Sequence, residues 1–460
     1  MRISPDAVDI LEAAPVPHAP RTHLHPPAQN DTAAAGPLLV ARVLDTAGHE
    51  IDAWAWPGES VRFEDMLDGA DALRGRAQAG DTWEARWRLP LGPEAARLVF
   101  ERTIPATGPV VARTVVQGDY AVDDLRARPI LERWDAGRTP DGYPKEARTL
   151  HHSGTPETCF DIVVLGDGFA VDEQVEFLRL AGIVTQALTR TRPFSDVADL
   201  INVHAVSVVS TDSGIKACPA GQAERRTYFR TEGYFRNTPS PTFIGTDATD
   251  RVSTAIGLAL PPALVNLTVM IVNCGRYGGS APLDLGMIFV TADADDRNVR
   301  LVTTHEAGHA IAHLAEEYNP CNRRTPGRVY PNEATAAQVA EGRLPWQDLL
   351  TADERDADGR PVVVHRLGMP QRDRKPNRVP TKQPDLPEPA NSALGAFWGA
   401  HSGEPPADGL TPPSLDCSDA RGASFYRPMA ECRMRRLDWE FCRVCAARIV
   451  SAIRDAAGQA

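Results

Sequence analysis

The segment from Thr304 to Tyr318 restricts the fold of this chain more than any other part of the sequence. It contains His305, Glu306 and His309 in the spacing His-Glu-x-x-His. Residues four apart on an α-helix lie on one face, so both imidazoles can bind one metal ion. Two neutral nitrogen ligands suit Zn²⁺ in a site that keeps one position for water. The segment therefore predicts a helix with a zinc site, in which Glu306 acts as general base toward a metal-bound water.

Such a site needs a third protein ligand, and a helix that continued past its second histidine could not supply one. Each further helical residue lies about 1.5 Å farther along the axis. His313 would lie two turns from the first histidine, so we interpret it as a residue outside the ligand set. If the helix ends near Ala312, the acidic pair that follows comes within reach. We expect Glu317 to be the third ligand, with Glu316 as the alternative.

The residues around the motif have the pattern of a helix, with apolar residues at helical spacing on both sides of it. Candidates for its N-cap are Asp295, Asp296 and Asn298. Gly308 inside the helix costs about 1 kcal/mol relative to alanine. We therefore expect another backbone or the substrate to approach this glycine closely. A metal-free amphipathic helix is the alternative interpretation.

Composition excludes several classes of protein. The 460 residues suffice for two or three domains, and 42% hydrophobic and 24% charged residues are an ordinary globular balance. The net charge is −12, and the basic stretch over 372–378 is mixed with Asp and Pro, which argues against a nucleic-acid surface. We expect no transmembrane helix, because no run of about 18 apolar residues exists. We also expect no standard secretory signal, since the first residues lack an apolar core.

Changes in composition divide the chain into regions. Residues 1–36 are rich in Pro, Ala and His, and predict a disordered lead-in. Residues 37–120 contain short alternating segments, which predict a small antiparallel β-sandwich. Residues 121–154 are charged and interrupted by proline, and predict a linker. Residues 155–455 contain the metal motif. Within them, the long polar stretch over 319–425 predicts loops that form cleft walls, with one short helical piece near 333–341.

The 155–455 region predicts an α/β or α+β domain with a mixed sheet. The predicted elements are a strand over 160–165, a helix over 171–192 and strands over 201–209, 264–274 and 287–290. The turn Gly166-Asp167-Gly168 lacks the third glycine of a dinucleotide-binding turn, so we interpret it as a plain strand-to-helix connection. The last predicted strand leads directly into the helix of the metal motif.

Three roles are open for the cysteines near the C-terminus. A structural zinc could use Cys417, Cys432, Cys442 and Cys445, although only the last two form a Cys-x-x-Cys pair. A redox pair would need a thioredoxin-like setting, which is absent. We favour disulfides that tie the loops to a last helix predicted over 439–453.

Several segments, taken in order, resemble the M64 peptidases, a family named after a bacterial immunoglobulin A endopeptidase. The matching segments are Phe160 to Phe169, Asn202 to Val206, Tyr277-Gly278-Gly279, His305 to Tyr318, and Tyr426-Arg427-Pro428 with Cys432-x-Met434-Arg435. The family is similar to the metzincin-like zinc endopeptidases. The resemblance implies a secreted or cell-surface zinc peptidase domain, preceded by a small N-terminal domain. It also implies that Met434 lies in a turn beneath the zinc, in a packing role.

The chain departs from these patterns after the metal-motif helix. Many family members have Asp-Glu-Tyr where this chain has Glu316-Glu317-Tyr318. A metzincin has a ligand ten residues after the first histidine, and Ala315 occupies that position here. The resemblance therefore does not decide the third ligand.

The sequence predicts a zinc-dependent endopeptidase that acts on protein or peptide substrates. We expect the strand end at Tyr277-Gly278-Gly279 to bind an extended substrate, because an edge strand pairs readily with a peptide. Two alternatives are a catalytically silent scaffold that binds glycans or proteins, and an amidase that acts on cell-wall peptide. The sequence does not predict the oligomeric state.

Overall fold

The computed structural model describes most of the chain from residue 38 onward, together with two short N-terminal pieces. The described residues are 2–3, 8–9, 38–57, 60–67, 73–80, 83–84, 89, 91–104, 113–126, 139–215, 225–235, 238–246, 248–282, 285–317, 330–355, 359, 363–364, 394–398 and 425–459.

The described elements are numbered in chain order. The strands are β1 (Arg2–Ile3), β2 (Val8–Asp9), β3 (Leu38–Leu44), β4 (Glu50–Pro57), β5 (Ser60–Leu67), β6 (Leu73–Gly80), β7 (Trp83–Glu84), β8 (Arg97–Ile104), β9 (Arg113–Ala121), β10 (Gly142–His151), β11 (Phe160–Asp167), β12 (Ile201–Ser210), β13 (Glu232–Phe235), β14 (Thr238–Gly245), β15 (Val265–Val272), β16 (Gly279–Pro282), β17 (Met287–Thr291), β18 (Ala334–Thr335), β19 (Val363–Val364), β20 (Ala396–Trp398) and β21 (Phe425–Arg427). The helices are α1 (Val122–Arg126), α2 (Gln174–Arg190), α3 (Thr249–Ile256), α4 (Asp296–Ala312), α5 (Ala336–Ala340) and α6 (Arg443–Ala456).

An eight-stranded mixed sheet forms the centre of the fold, in the order β10-β12-β11-β15-β17-β16-β5-β6. Strands β12, β11, β15 and β17 are parallel neighbours, and the other neighbouring pairs are antiparallel. Every residue of β11 is buried, as expected for a parallel strand covered on both faces. The predicted strand-helix-strand unit is β11-α2-β12. The predicted mixed α/β domain is confirmed at this level, and it fits a peptidase domain.

Apolar side chains alternate between the two faces of this sheet. Ile162 and Val164 of β11 join a core formed with helices α2, α4 and α6. Val163 and Leu165 face the opposite side, where α3 and the segment around Tyr228 cover the sheet. Helix α4 thus lies on the same face as α2 and α6, next to strands β16 and β17.

The N-terminal strands belong to different sheets. Strands β4, β3, β8 and β9 form a four-stranded antiparallel sheet. Strands β5 and β6 join the central sheet instead, and β5 pairs antiparallel with β16, Ser280 opposite Glu64. The sequence analysis did not identify these two strands, because pairing with a strand about two hundred residues away is set by tertiary context rather than local pattern. The sandwich over 37–120 stays a prediction.

Two predicted irregular regions contain regular structure. Residues 2–3 and 8–9 of the predicted disordered lead-in form β1 and β2, while residues 10–36 lie outside the described residues. The predicted linker over 121–154 contains β10, which pairs with β12 at the edge of the sheet. Gly142 is the only buried residue of β10, so the strand's sequence lacks the apolar alternation of a half-buried strand.

Part of the predicted loop region over 319–425 is also ordered. Residues 330–355 contain β18, α5 and short 3-10 turns, and Trp346 is fully buried there. The indole N–H of Trp346 donates to Gly395 O at 2.9 Å. Within the described part of the chain, no helix has the length and apolar character needed to cross a membrane.

Candidate metal centre

Helix α4 carries the His-Glu-x-x-His motif and ends one turn after it. The Asp295 carboxylate caps the first turn by accepting a hydrogen bond from the Arg297 N–H. At the other end, His313 adopts a left-handed conformation with φ of 51°, and its N–H donates to Gly308 O. Histidine is one of the residues that tolerate this conformation. The helix therefore ends at Ala312. A third ligand from the following residues needs such an end, because a continuing helix would carry them away from the histidines.

Three side chains converge beside this helix. The Nε2 atoms of His305 and His309 are 3.2 Å apart. Glu316 Oε1 lies 3.1 Å from His309 Nε2, and Glu316 Oε2 lies 3.5 Å from His305 Nε2. All three residues are buried. Tetrahedral zinc ligands at roughly 2.0–2.1 Å from the metal lie about 3.3 Å from each other, so these separations match one zinc position.

Backbone carbonyls fix the protonation of both imidazoles. His305 Nδ1 lies 3.0 Å from Arg433 O, and His309 Nδ1 lies 2.6 Å from Leu314 O. A carbonyl oxygen only accepts hydrogen bonds, so each Nδ1 carries a proton, and in the neutral imidazole each Nε2 then presents a lone pair. Two lone pairs and a carboxylate oxygen therefore face one point, and a cation relieves their repulsion. Metal-binding histidines have this same partner at the second ring nitrogen.

The charge of Glu316 also suits a cation. Burial raises the pKa of its carboxyl, but the charges of the protonated His309 and His305 imidazoles and their hydrogen bonds lower it to about 2. A bound cation would supply the same positive charge beside neutral imidazoles. Glu316 is thus an anion at neutral pH. The set of two neutral nitrogens and one carboxylate fits zinc.

The structure places Glu317, which the sequence analysis preferred as third ligand, away from the histidines. Its Oε1 accepts a hydrogen bond from Asn332 Nδ2 at 3.0 Å, and Cys445 Sγ lies 3.6 Å from the same oxygen. Burial, followed by the charge of Cys432, raises the pKa of Glu317 well above its usual value. Neighbouring side chains of a non-helical segment point in different directions. Only Glu316 of the acidic pair therefore joins the histidines, and this corrects the preference for Glu317.

Glu306 lies on the same helix and faces strand β16. A Cβ added to Gly279 would lie 2.7 Å from Glu306 Oε1 and 2.4 Å from Val302 Cγ1. The absence of a side chain at Gly279 thus makes room for the Glu306 carboxylate against the strand backbone.

The strand edge expected to bind substrate is already paired. Gly279 lies opposite Val290 of β17 on one side and opposite Asp65 of β5 on the other. The expectation of a free edge at Gly279 is therefore wrong. It failed because β5 comes from a part of the chain that the sequence analysis assigned to a separate domain.

The turn around Met434 packs against the motif helix at Gly308. Met434 is fully buried. A Cβ on Gly308 would lie 3.1 Å from both Met434 Sδ and Phe441 Cε1. The close approach expected at Gly308 is thus made by side chains of the C-terminal segment, not by backbone or substrate. Met434 O also accepts from the Glu317 N–H at 2.9 Å, which ties the turn to the loop that carries Glu316.

Arg433 beside this methionine is a residue that the sequence analysis missed. Its guanidinium donates to Thr304 Oγ1 at 2.9 Å and to Trp439 O at 2.8 Å. The same group lies over the ring of Phe441, 5.4 Å from its centroid. Arg433 therefore fixes the backbone whose carbonyl orients His305.

Asn332 was also missed, because it lies in a polar stretch with no motif. It is fully buried. Its Oδ1 accepts from the Ala315 N–H at 2.7 Å, and its Nδ2 donates to Ala315 O at 2.9 Å as well as to Glu317. One amide thus holds both backbone groups of the residue that precedes Glu316.

Replacing Asn332 with alanine is expected to destabilise the fold. The variant leaves the buried N–H and C=O of Ala315 without their partners, and each such group costs roughly 1–3 kcal/mol. We expect a loss of roughly 2–5 kcal/mol in the free energy of unfolding, measured by denaturant titration. Asn298→Ala is the control, because it removes one partly exposed hydrogen bond to Asp293 at 3.2 Å. Equal losses in the two variants would contradict the role given to Asn332.

Comparison with known proteins agrees with the site. The sequence model of the IgA peptidase M64 family matches residues 149–356. The matched segment runs from the end of β10 through α4 and Glu316 to the 3-10 turns after α5. This match supports a peptidase, a hydrolase for which protein or peptide is the expected substrate. Over these residues the chain is similar to the M64 peptidase family, as its motifs suggested. No curated protein matched the chain.

The predicted disulfides at the C-terminus are not present among the described residues. Cys432, Cys442 and Cys445 are all buried and all free of disulfide bonds, whereas Cys417 lies outside the described residues. Of the two cysteines predicted within the last helix, Cys445 lies there, whereas Cys442 lies just before it. Cys442 is the N-cap of α6, and Cys445 lies in its first turn.

Proposed function

We propose that this protein is a zinc-dependent endopeptidase in which His305, His309 and Glu316 hold the metal. The observation that carries the proposal is the convergence of two imidazole Nε2 atoms and one carboxylate within 3.1–3.5 Å of each other. A catalytic zinc has three protein ligands of this kind and a fourth position for water. When bound, zinc supplies a Lewis acid and lowers the pKa of that water to about 7.

Glu306 performs the proton transfers in this proposal. It takes a proton from the attacking water and then delivers it to the leaving amine, first as general base and then as general acid. Its place on α4, one residue after His305, keeps it next to the metal ligands. Contact with the backbone at Gly279 limits the positions that its carboxylate can adopt.

The proposal includes the metzincin-like arrangement that the resemblance implies. It is supported by the buried Met434 against Gly308 and by the carbonyl of Arg433 at His305 Nδ1. Met434 contacts the helix rather than the converging ligand atoms, in agreement with a packing role. The third ligand in this proposal, Glu316, comes one residue after Ala315, which occupies the metzincin ligand position.

Cleavage of casein or gelatin before and after metal removal tests this function. We expect the protein to cleave unfolded protein, to lose this activity when a chelator removes the metal, and to regain it with added zinc. Cleavage that persists after complete metal removal would contradict the proposal. Cleavage of small cell-wall peptides without casein cleavage would favour an amidase, and folded, zinc-loaded protein without any cleavage would favour a binding scaffold.

Replacing Gly279 with alanine is expected to reduce activity without removing the metal. The new Cβ would collide with the Glu306 carboxylate and with Val302. A catalytic group displaced by about 1 Å loses on the order of 100-fold in rate. We therefore expect kcat/KM on casein to fall by about 100-fold, with unchanged zinc content.

Gly275→Ala is the matched control for this variant. A Cβ added at Gly275, in the turn before β16, meets no atom within 4 Å. Its activity should equal that of the wild type. Full activity in Gly279→Ala would show that the Glu306 carboxylate does not act from the position described.

A further inference from the structure

A second group of metal-ligating side chains lies on the other side of the loop that carries Glu316. Its members are Glu317, Cys432, Cys442 and Cys445. Each offers one ligand atom, and these atoms all lie within 4.8 Å of one another. All four residues are buried. The endopeptidase mechanism uses none of them.

The backbone around Cys432 and Cys442 favours thiolates. The Cys445 N–H donates to Cys442 Sγ at 3.4 Å, and the Cys442 N–H donates to Cys432 Sγ at 3.2 Å. Cys442 caps the N-terminus of α6, a 14-residue helix whose positive end lies at these sulfurs. Amide donors and a helix N-terminus both stabilise the thiolate, which is the form that binds metal.

Glu317 offers the fourth ligand atom of this group. Asn332 holds its Oε1, whereas its Oε2 is buried and accepts no hydrogen bond from the described residues. A buried carboxylate oxygen without a partner costs free energy. A cation among the cysteine sulfurs would satisfy this oxygen.

A neighbouring cation suits the negative charge of such a set. Three thiolates and one carboxylate around Zn²⁺ carry a net charge of about −2. The guanidinium of Arg427 is buried, and it interacts electrostatically with Glu317 and Cys432. Sulfur-rich ligands select zinc over magnesium or calcium.

We propose that Cys432, Cys442, Cys445 and Glu317 bind a second, structural zinc ion. Four buried protein ligands leave no position for water or substrate, which is the character of a structural site. Glu316 and Glu317, adjacent in sequence, then bind different metals. The structural zinc fixes the loop from the end of α4 to Glu317, and thereby positions Glu316 at the catalytic metal.

Cobalt substitution tests the second site without using activity. Protein produced in zinc-depleted, cobalt-supplemented medium is expected to hold two metal equivalents per chain and to show a near-ultraviolet thiolate-to-cobalt charge-transfer band. Histidine and carboxylate ligands give no such band. Two bound cobalt ions without this band in the wild type would overturn the proposal, and so would a single equivalent without it.

Three variants separate the two sites. Cys442→Ser should lose the band and one metal equivalent, whereas Glu316→Ala should lose one equivalent and keep the band. Cys159→Ser is the control, because Cys159 is a buried free cysteine outside the group, and it should keep both. If Cys442→Ser does not fold, the wild-type spectrum still shows whether cysteine sulfurs bind the metal. A band that persists in Glu316→Ala would support the cysteine site even if the endopeptidase proposal failed.

Discussion

Glu306→Gln should remove almost all cleavage of casein while the zinc content stays that of the wild type. Glutamine has nearly the same shape but cannot accept a proton from the attacking water. Loss of a general base costs about 10²–10⁴-fold in rate. We expect kcat/KM to fall by that factor and metal content, measured by mass spectrometry, to remain unchanged.

Glu157→Gln provides the matched control, since Glu157 is an exposed residue in the turn before β11. The same chemical change there should have no effect on activity. Activity of Glu306→Gln within a few-fold of the wild type would eliminate Glu306 as the general base. Loss of zinc from Glu306→Gln would instead mean that this residue belongs to the ligand set.

Glu316→Ala is expected to lose the catalytic metal together with activity. Glu316 supplies the only carboxylate that lies within 3.5 Å of both imidazoles among the described residues. Removing a residue that only hydrogen-bonds to a metal ligand already costs 10–100-fold in metal affinity. Loss of a ligand itself should cost more than about 100-fold, measured by competition with a chromogenic chelator.

His313→Asn is the control for Glu316→Ala. His313 lies between the second histidine and Glu316, and it caps α4 in the left-handed conformation that asparagine also tolerates. We expect its metal affinity and activity to stay near those of the wild type. A large loss of metal in His313→Asn, with none in Glu316→Ala, would exchange the roles assigned to these two residues.

Local sequence pattern predicted the parts of the site that depend on a single helix. The spacing of His305 and His309 placed both imidazoles on one face, and the need for a third ligand predicted the end of α4 near Ala312. Strand β11 was also evident, because burial of a parallel strand on both faces leaves a continuous apolar run. Helix α2 was evident as the helix that follows it.

The remaining features depend on contacts between distant parts of the chain. The direction of Glu316 and Glu317 depends on Asn332 and on the carbonyl of Met434, neither of which the motif contains. The grouping of Cys432 with Cys445 depends on how the last turn meets α6. Periodicity reports which face of an element is buried, but not which partner covers it.

The pairing of β5 with β16 sets a limit on how far the chain can be shortened. The matched peptidase segment starts at residue 149, so a truncation there would remove β5 and β6 while leaving β16 in place. Strand β16 would then expose unpaired N–H and C=O groups to solvent, and such an edge recruits other strands and promotes aggregation. Poor solubility of the truncated chain would therefore reflect a missing strand rather than a defect of the catalytic segment. Expression of the peptidase should retain residues 60–80.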